Sequence, residues 1–250
     1  MNGRLYLVPA PLDFGCAEQA PLQDAMPLGT LQAAARLSHW ICENAKSTRA
    51  YLKRIDAVAP LAVAVQQQVL TELPREVHKK GDHGPGFDAT PLLAAALQGH
   101  DIGLVSEAGM PAVADPGSSV VRAAHALGLA VVPLVGPSAL LLALAASGLN
   151  GQNFAFVGYL PQEADARAQK VRQLETLALK TGQTQLCIET PYRTETLRRA
   201  LVQTLQHNTR LAVATGLTLD SARILSQTVK AWRQQAEPLP DAPAVFAIGR

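Results

Sequence analysis

Short β-type runs alternate with longer helical runs through most of the 250-residue chain, and no other feature narrows its fold as far. A strand that rejoins its sheet in parallel needs a crossover, usually a helix, so the alternation predicts an α/β architecture with mainly parallel or mixed sheets. Leu5-Tyr6-Leu7-Val8 ends at Pro9, with Pro11 close behind, and reads as a buried first strand leaving into a loop. His39-Trp40-Ile41-Cys42 reads as a second strand, and helical spacing follows over 47–55, with Ser47 placed to cap the first turn. A further β-rich stretch covers 61–65. Gly81-Asp82-His83-Gly84-Pro85-Gly86 predicts a flexible loop of the kind that carries substrate contacts.

The densest pattern lies over 101–147. A strand at 101–105 leads into the turn Ser106-Glu107-Ala108-Gly109-Met110-Pro111, and Asp115-Pro116-Gly117-Ser118 starts a helix with Asp or Ser as its cap. The next strand spans 129–135, after which Gly136-Pro137-Ser138 opens an apolar helix ending at Ser147. Both strands end in small residues at their carboxyl ends, where open α/β sheets bind ligands. Beyond Asn153-Phe154-Ala155-Phe156-Val157, the segment Gly158-Tyr159-Leu160-Pro161 introduces a charged helix over 163–180, and the composition shifts. This reading divides the chain into two α/β domains, 1–156 and 157–250. The second is expected to continue with strand 184–189, helix 194–206, strands 210–215 and 223–229, helix 230–236 and strand 243–248.

Hydrophobic residues make up 48% of the chain and charged residues 17%, enough apolar surface for one large core or two modest ones, which excludes disorder. The formal charge of +2 provides no global field for nucleic acid or an anionic membrane, although residues 1–156 carry 10 basic and 12 acidic side chains and the remainder 12 and 8. Cys16, Cys42 and Cys187 are odd in number and far apart, fitting neither a disulfide framework nor a metal knuckle, and a reducing cytoplasm is the expected home. No basic region with a following apolar stretch opens the chain, so no signal peptide is expected. The uncharged run 126–151 is broken by Pro133, Gly136 and Pro137. Its helical part would rise only about 15 Å, half a hydrocarbon core, so no membrane span is expected.

Common chemical signatures are missing. There is no GxGxxG after the first strand, no GxxxxGK[ST], no GxSxG, and no HExxH or Cys/His spacing among the six histidines, so no metal is expected. Only His78, Asp82 and His83 lie close together, in the Gly/Pro loop. What remains is a glycine-bearing turn over 106–111 whose backbone could approach a ligand, and a basic cluster, Lys46, Arg49, Lys53 and Arg54, that reads either as a solvated helix face or as a phosphate-contacting edge.

Taken in order, seven segments resemble the tetrapyrrole methylase family of S-adenosyl-L-methionine-dependent methyltransferases. They are Leu5-Tyr6-Leu7-Val8-Pro9-Ala10-Pro11; Glu43-Asn44 with Thr48; 103–111; Asp115-Pro116-Gly117; 132–139; Gly158-Tyr159-Leu160-Pro161; and Glu189-Thr190-Pro191-Tyr192-Arg193. Within the family the chain is most similar to the branch that methylates a cytidine ribose 2′-hydroxyl of small-subunit ribosomal RNA. The resemblance implies two α/β domains with S-adenosyl-L-methionine in the cleft between them, S-adenosyl-L-homocysteine as product, and a homodimer acting on RNA or the small ribosomal subunit. Carried over by position, the cofactor contacts are Pro9, Ser106, Glu107, Ala108, Gly109, Met110, Val113, Ser138 and Ala139, with Val157, Gly158, Pro243 and Ala244 from the second domain. Methyl transfer needs alignment more than covalent help, because the sulfonium is already activated.

A ribose hydroxyl must still lose its proton, which makes Glu43 the candidate general base and Asn44, Lys46 and Arg49 the candidate substrate contacts. The chain departs from the ribosomal branch mostly at polar positions. Glu43-Asn44-Ala45-Lys46 stands where that branch has Glu-Asp-Thr-Arg, and Pro11-Leu12-Asp13-Phe14 where it has Pro-Ile-Gly-Asn. Glu163 replaces a Lys, and Thr215-Gly216-Leu217-Thr218-Leu219 replaces Arg-Glu-Leu-Thr-Lys. Two alternatives follow: a methyltransferase for a porphyrinoid or other small molecule, and a cofactor-binding protein without catalysis, suggested by the missing acid at Asn44.

Overall fold

In the computed structural model of the chain, which describes residues 2–74, 76, 77, 82, 84, 86–235 and 237–250, two units each carry a five-stranded sheet. The first unit comprises Met1–Phe14 and Ala20–Pro137, the second Gly15–Gln19 and Ser138–Arg250.

The first sheet contains β1 (Leu5–Leu7), β2 (His39–Cys42), β3 (Val69–Glu72), β4 (Ile102–Val105) and β5 (Val131–Pro133), in the order β3-β2-β4-β1-β5 with every pairing parallel. Alternation along the strands serves two cores. Trp40, Cys42 and Val105 face α1 (Leu22–Ala25), α2 (Leu28–Ala35) and α3 (Ala45–Asp56). Leu5, Ile41, Ile102 and Leu104 face α4 (Ala94–Leu97) and α5 (Ser118–Ala126). The chain leaves β1 toward the first face and β4 toward the second. The winding of the sheet therefore reverses between these neighbouring strands, and it is at such switch points that doubly wound sheets bind ligands.

Several local expectations shift. The stretch 61–65 is not a strand; β3 begins at Val69, because Gln68 donates to the Val63 carbonyl at 2.8 Å and accepts from Trp40 Nε1 at 2.9 Å, setting His39 opposite Val69. Asn44, not Ser47, caps α3, accepting from Lys46 N at 2.8 Å and Ser47 N at 3.2 Å. Nor does Asp115 or Ser118 cap α5. The carboxylate at its start is Asp82, 35 positions earlier, which accepts from Gly117 N at 2.9 Å, Ser119 N at 2.8 Å and the Ser118 and Ser119 hydroxyls at 2.7 and 2.6 Å. The rest of the expected His78–Asp82–His83 group lies outside the described residues.

The second sheet holds β6 (Phe154–Tyr159), β7 (Thr184–Glu189), β8 (Arg210–Thr215), β9 (Arg223–Thr228) and β10 (Ala244–Gly249), ordered β6-β7-β10-β8-β9. Only β6 and β7 run parallel. One face packs under α7 (Ala164–Thr181), α8 (Thr194–Thr204) and α9 (Val229–Trp232), with Phe246 and Ile248 at its centre; the other packs under α6 (Ala139–Ser147). That second contact moves the expected domain boundary. Leu140, Ala143 and Leu144 of α6 pack against Leu186, Ala212, Ala214 and Val245, so the division falls at Pro137/Ser138 rather than after residue 156. Glu18 also belongs to this unit, accepting from Asp220 N at 3.2 Å and Ser221 Oγ at 2.8 Å.

No described helix is long and apolar enough to cross a membrane.

Candidate functional site

Three loops converge at the carboxyl edge of the first sheet. Beyond β1, Ala10 and Gly109 exchange backbone hydrogen bonds of 2.9 Å in both directions, lacing the first-strand loop to the turn after β4. Gly109 adopts φ +69°, a conformation that side chains resist, which is why a glycine stands there. Gly136, after β5, lies so close to the first loop that a Cβ would sit 2.3 Å from Pro9 Cγ. The buried Tyr51 hydroxyl fixes the same loop by donating to the Pro9 carbonyl at 2.7 Å. Burial pushes its pKa up, so it stays a neutral donor. Pro9, Ser106, Glu107, Ala108, Gly109 and Met110, all expected cofactor contacts, therefore share one backbone-rich edge, and Val113 stands exposed beside them.

The polar residues around this edge are mostly acidic. Glu43 Oε1 accepts from Glu107 N at 3.3 Å, and the Glu107 carboxylate accepts from Ser47 Oγ at the start of α3. Asp115 joins them: burial, then the Glu43 and Glu107 carboxylates, push its carboxyl up to about 7. Sequence reading placed Glu43 and Glu107 here; it counted Asp115-Pro116-Gly117 among the segments of resemblance but gave Asp115 itself no role beyond a helix cap. Ser106 is 5% exposed, and its Oγ finds no hydrogen-bond partner among the described residues.

Other candidates separate into different tasks. Asn44 Oδ1 is taken up by the α3 cap. Lys46 and Arg49 stand exposed on α3, with Arg49 Nη1 3.5 Å from the Ala45 carbonyl. Arg54 has left the basic cluster to hold Asp13 at 3.0 and 2.8 Å and the Ala20 carbonyl at 2.8 Å. In the second unit, Ser138 is the N-cap residue of α6 without a side-chain cap bond, and Ala139 opens that helix. Gly158, at φ +73°, and Val157 lie where the pairing of β6 with β7 shifts register. Pro243 is exposed just before β10, and Ala244 is buried in it. Among the described residues, no group of three His, Cys, Asp or Glu side chains is placed to hold a metal.

Comparison with known proteins gives a consistent picture. The family model for Tetrapyrrole (Corrin/Porphyrin) Methylases matches residues 28–232. A ribosomal RNA small subunit methyltransferase I of Mesorhizobium japonicum is 34% identical over 171 residues, 67% of this chain and 56% of that protein. The protein of the same name from Streptococcus pyogenes is 35% identical over 195 residues, 77% of this chain and 57% of that one. The chain thus spans little more than half the length of these curated relatives. Among solved structures, a conserved hypothetical protein of Aeropyrum pernix superposes with a TM-score of 0.61 at 16% identity, covering 100% of this chain and 86% of the other, a likeness of fold.

Proposed function

The chain belongs to the tetrapyrrole (corrin/porphyrin) methylase family, and from that premise we propose that it is an S-adenosyl-L-methionine-dependent methyltransferase acting on a ribose 2′-hydroxyl of small-subunit ribosomal RNA. The observation that carries the reading is the laced edge at Ala10 and Gly109, with its small residues and the orphan Ser106 hydroxyl, under a family match that spans most of the chain. These residues fit the donor. It offers amine and hydroxyl groups for backbone partners and a cationic sulfonium suited to the negative potential of Glu43, Glu107 and Asp115. Bound there, it supplies an electrophilic methyl carbon. The chain's own task is to hold donor and acceptor in line and to receive a proton.

Pro9 and 106–110 are the proposed donor contacts in the first unit. Val113, Ser138, Ala139, Val157, Gly158, Pro243 and Ala244 are proposed contacts in the same sense. Lys46 and Arg49, exposed on α3, are proposed phosphate contacts for RNA. The names of the relatives support the RNA acceptor. The non-catalytic alternative loses its main support, because Asn44 has an ordinary structural role as a helix cap. A cytoplasmic home fits three cysteines that form no disulfide, two of them buried. A homodimer fits the exposure of Leu141 and Leu142 on the apolar helix α6.

The test is calorimetric titration of the protein with S-adenosyl-L-methionine, followed by transfer of a labelled methyl group to small-subunit RNA and, separately, to porphyrinoids. Micromolar binding, about −8 kcal/mol, with label in RNA is the expected result. Label only in porphyrinoids, or no binding, refutes it.

A further inference from the structure

The segment Glu189-Thr190-Pro191-Tyr192-Arg193 takes part in the family resemblance, yet donor binding and methyl transfer leave it without a task. It closes β7 and opens α8 within the second unit. One carboxylate oxygen holds it together. Oε1 of the buried Glu189 accepts from Thr190 N at 2.7 Å, from the Thr190 hydroxyl at 3.2 Å, and from Arg193 Nε and Nη2 at 3.1 and 2.8 Å. Arg193 N returns to the Thr190 carbonyl at 3.0 Å, and Pro191 fixes φ at the start of the resulting 3₁₀ turn. The Thr194 hydroxyl, near the carbonyls of Thr190 at 3.1 Å and Ala242 at 3.3 Å, ties the turn to the approach to β10.

The side chain that this clamped turn presents is Tyr192. It is 77% exposed, more than any other large apolar side chain among the described residues. The Arg193 guanidinium carbon lies 5.5 Å from the ring centroid, within cation–π range. A lone exposed aromatic needs no explanation. Here, however, seven polar contacts fix a ring that none of them buries, and the cation against it is held by the same carboxylate. Ring and guanidinium are ordered before any partner arrives, so a flat group that stacks on them costs little further entropy.

Charge selects the partner. From Glu189 to Arg199 the chain carries two carboxylates, Glu189 and Glu195, against three guanidinium groups, Arg193, Arg198 and Arg199, a net +1. Both carboxylates are taken, Glu189 by Arg193 and Glu195 by Arg198 at 2.6 Å and Arg199 at 2.8 Å. Arg198 is buried over the Trp232 ring. Arg199 stays at the surface with a side chain 68% exposed, about 8 Å along α8 from its first residue. An open aromatic face beside surface guanidinium groups matches a flat ring carried on an anionic backbone, which is the chemistry of an unpaired nucleotide.

We propose that Tyr192 and Arg193 form a stacking platform for an unpaired base of single-stranded RNA, with Arg199 as a contact to its phosphate backbone. The proposal rests on the reading of this chain as an RNA methyltransferase. A paired base offers no free face, so the platform selects single strands. Stacking reads no base edge, so it tolerates sequence.

The experiment uses the full chain and three labelled probes of about twelve nucleotides: single-stranded oligoadenylate, an abasic strand with the same phosphates, and a duplex. Tyr192→Ala should bind oligoadenylate about tenfold more weakly while its abasic-strand affinity stays parental, and Tyr192→Trp should restore the loss. Fluorescence of the Tyr192→Trp protein should be quenched by oligoadenylate and left unchanged by the abasic strand and the duplex; Trp40 and Trp232, each 1% exposed, are out of reach of a stacking base. Arg199→Gln should reduce the slope of log affinity against log salt for single strands by about 0.7. Donor affinity, read by calorimetry, should stay within about twofold in Tyr192→Ala. The platform is overturned by a parent that binds no oligoadenylate, by parental oligoadenylate affinity in Tyr192→Ala, or by an equal loss on the abasic strand. It is also overturned by a parallel loss of donor affinity, which makes the ring a donor contact, or by an altered oligomeric state in Tyr192→Ala, which makes it a contact between copies. A parent that binds single strands through Tyr192 yet methylates no small-subunit RNA overturns the functional reading instead, and leaves the platform in place.

Discussion

Arg54 grips Asp13 through both guanidinium nitrogens, at 3.0 and 2.8 Å, while the same Nη2 reaches the Ala20 carbonyl. The carboxylate is buried and the arginine partly so, which makes this pair the clasp of the first-strand loop. Removing one partner leaves the other's charge without compensation. Arg54→Met should lower stability by about 3 kcal/mol in urea unfolding. The double variant Arg54→Met/Asp13→Leu should recover part of that loss, and additive losses would refute the clasp.

Gly136 and Gly29 make a matched contrast. A Cβ at 136 collides with the Pro9 ring, whereas one at 29, within α2, meets nothing within 4 Å. Gly136→Ala should destabilise by about 1–3 kcal/mol and weaken donor binding, because the Pro9 loop must shift. Gly29→Ala should stabilise by about 0.5–1 kcal/mol through helix propensity alone. Thermal melts and calorimetry on both variants decide the matter.

Asp82 links stability to acid. Burial alone would raise its pKa, but hydrogen bonds from Ser119, Ser118 and Gly117 outweigh it and hold the carboxylate at about 2, below its ordinary 3.8. A depressed carboxylate contributes stability above its unfolded pKa and loses it as pH falls through the folded value. Asp82→Asn should therefore cost about 1–2 kcal/mol at pH 7 and flatten the fall in stability between pH 4 and 2. An unchanged slope in denaturant unfolding at those pH values would argue against the role.

Ser106→Ala separates packing from binding. If the hydroxyl served the fold, its removal would destabilise. As an orphan it should leave stability unchanged or raise it by about 1 kcal/mol. Donor affinity should fall about fivefold, read by calorimetry beside a melting curve. Parental affinity would remove Ser106 from the site.

Much of the fold was legible because burial writes itself into alternation. Strands β7 and β8 fall at the expected 184–189 and 210–215, their apolar runs closed by polar turns. The apolar run 61–65 misled, since strand formation there was decided by a partner: Trp40 and Gln68 set the register that starts β3 at Val69. Caps were misassigned for a similar reason. Ser118 is the local choice for α5, but Asp82, distant in sequence, supplies the acceptor. Of the site, the glycine and proline landmarks were readable, because close backbone approach demands those residue types. Asp115 was not, because its raised pKa comes first from burial and then from the Glu43 and Glu107 charges, which only folding supplies.

The bond from Glu18 to Asp220 and Ser221 closes a loop of about two hundred residues inside one structural unit. On a ribosome, the segment Gly15–Gln19 must wait until about two hundred further residues have been made before its partners exist. The second unit is therefore not a separable fragment. A piece beginning at Ser138 lacks one of its own parts, and a clean excision of this half requires Gly15–Gln19 to be supplied in trans or grafted on.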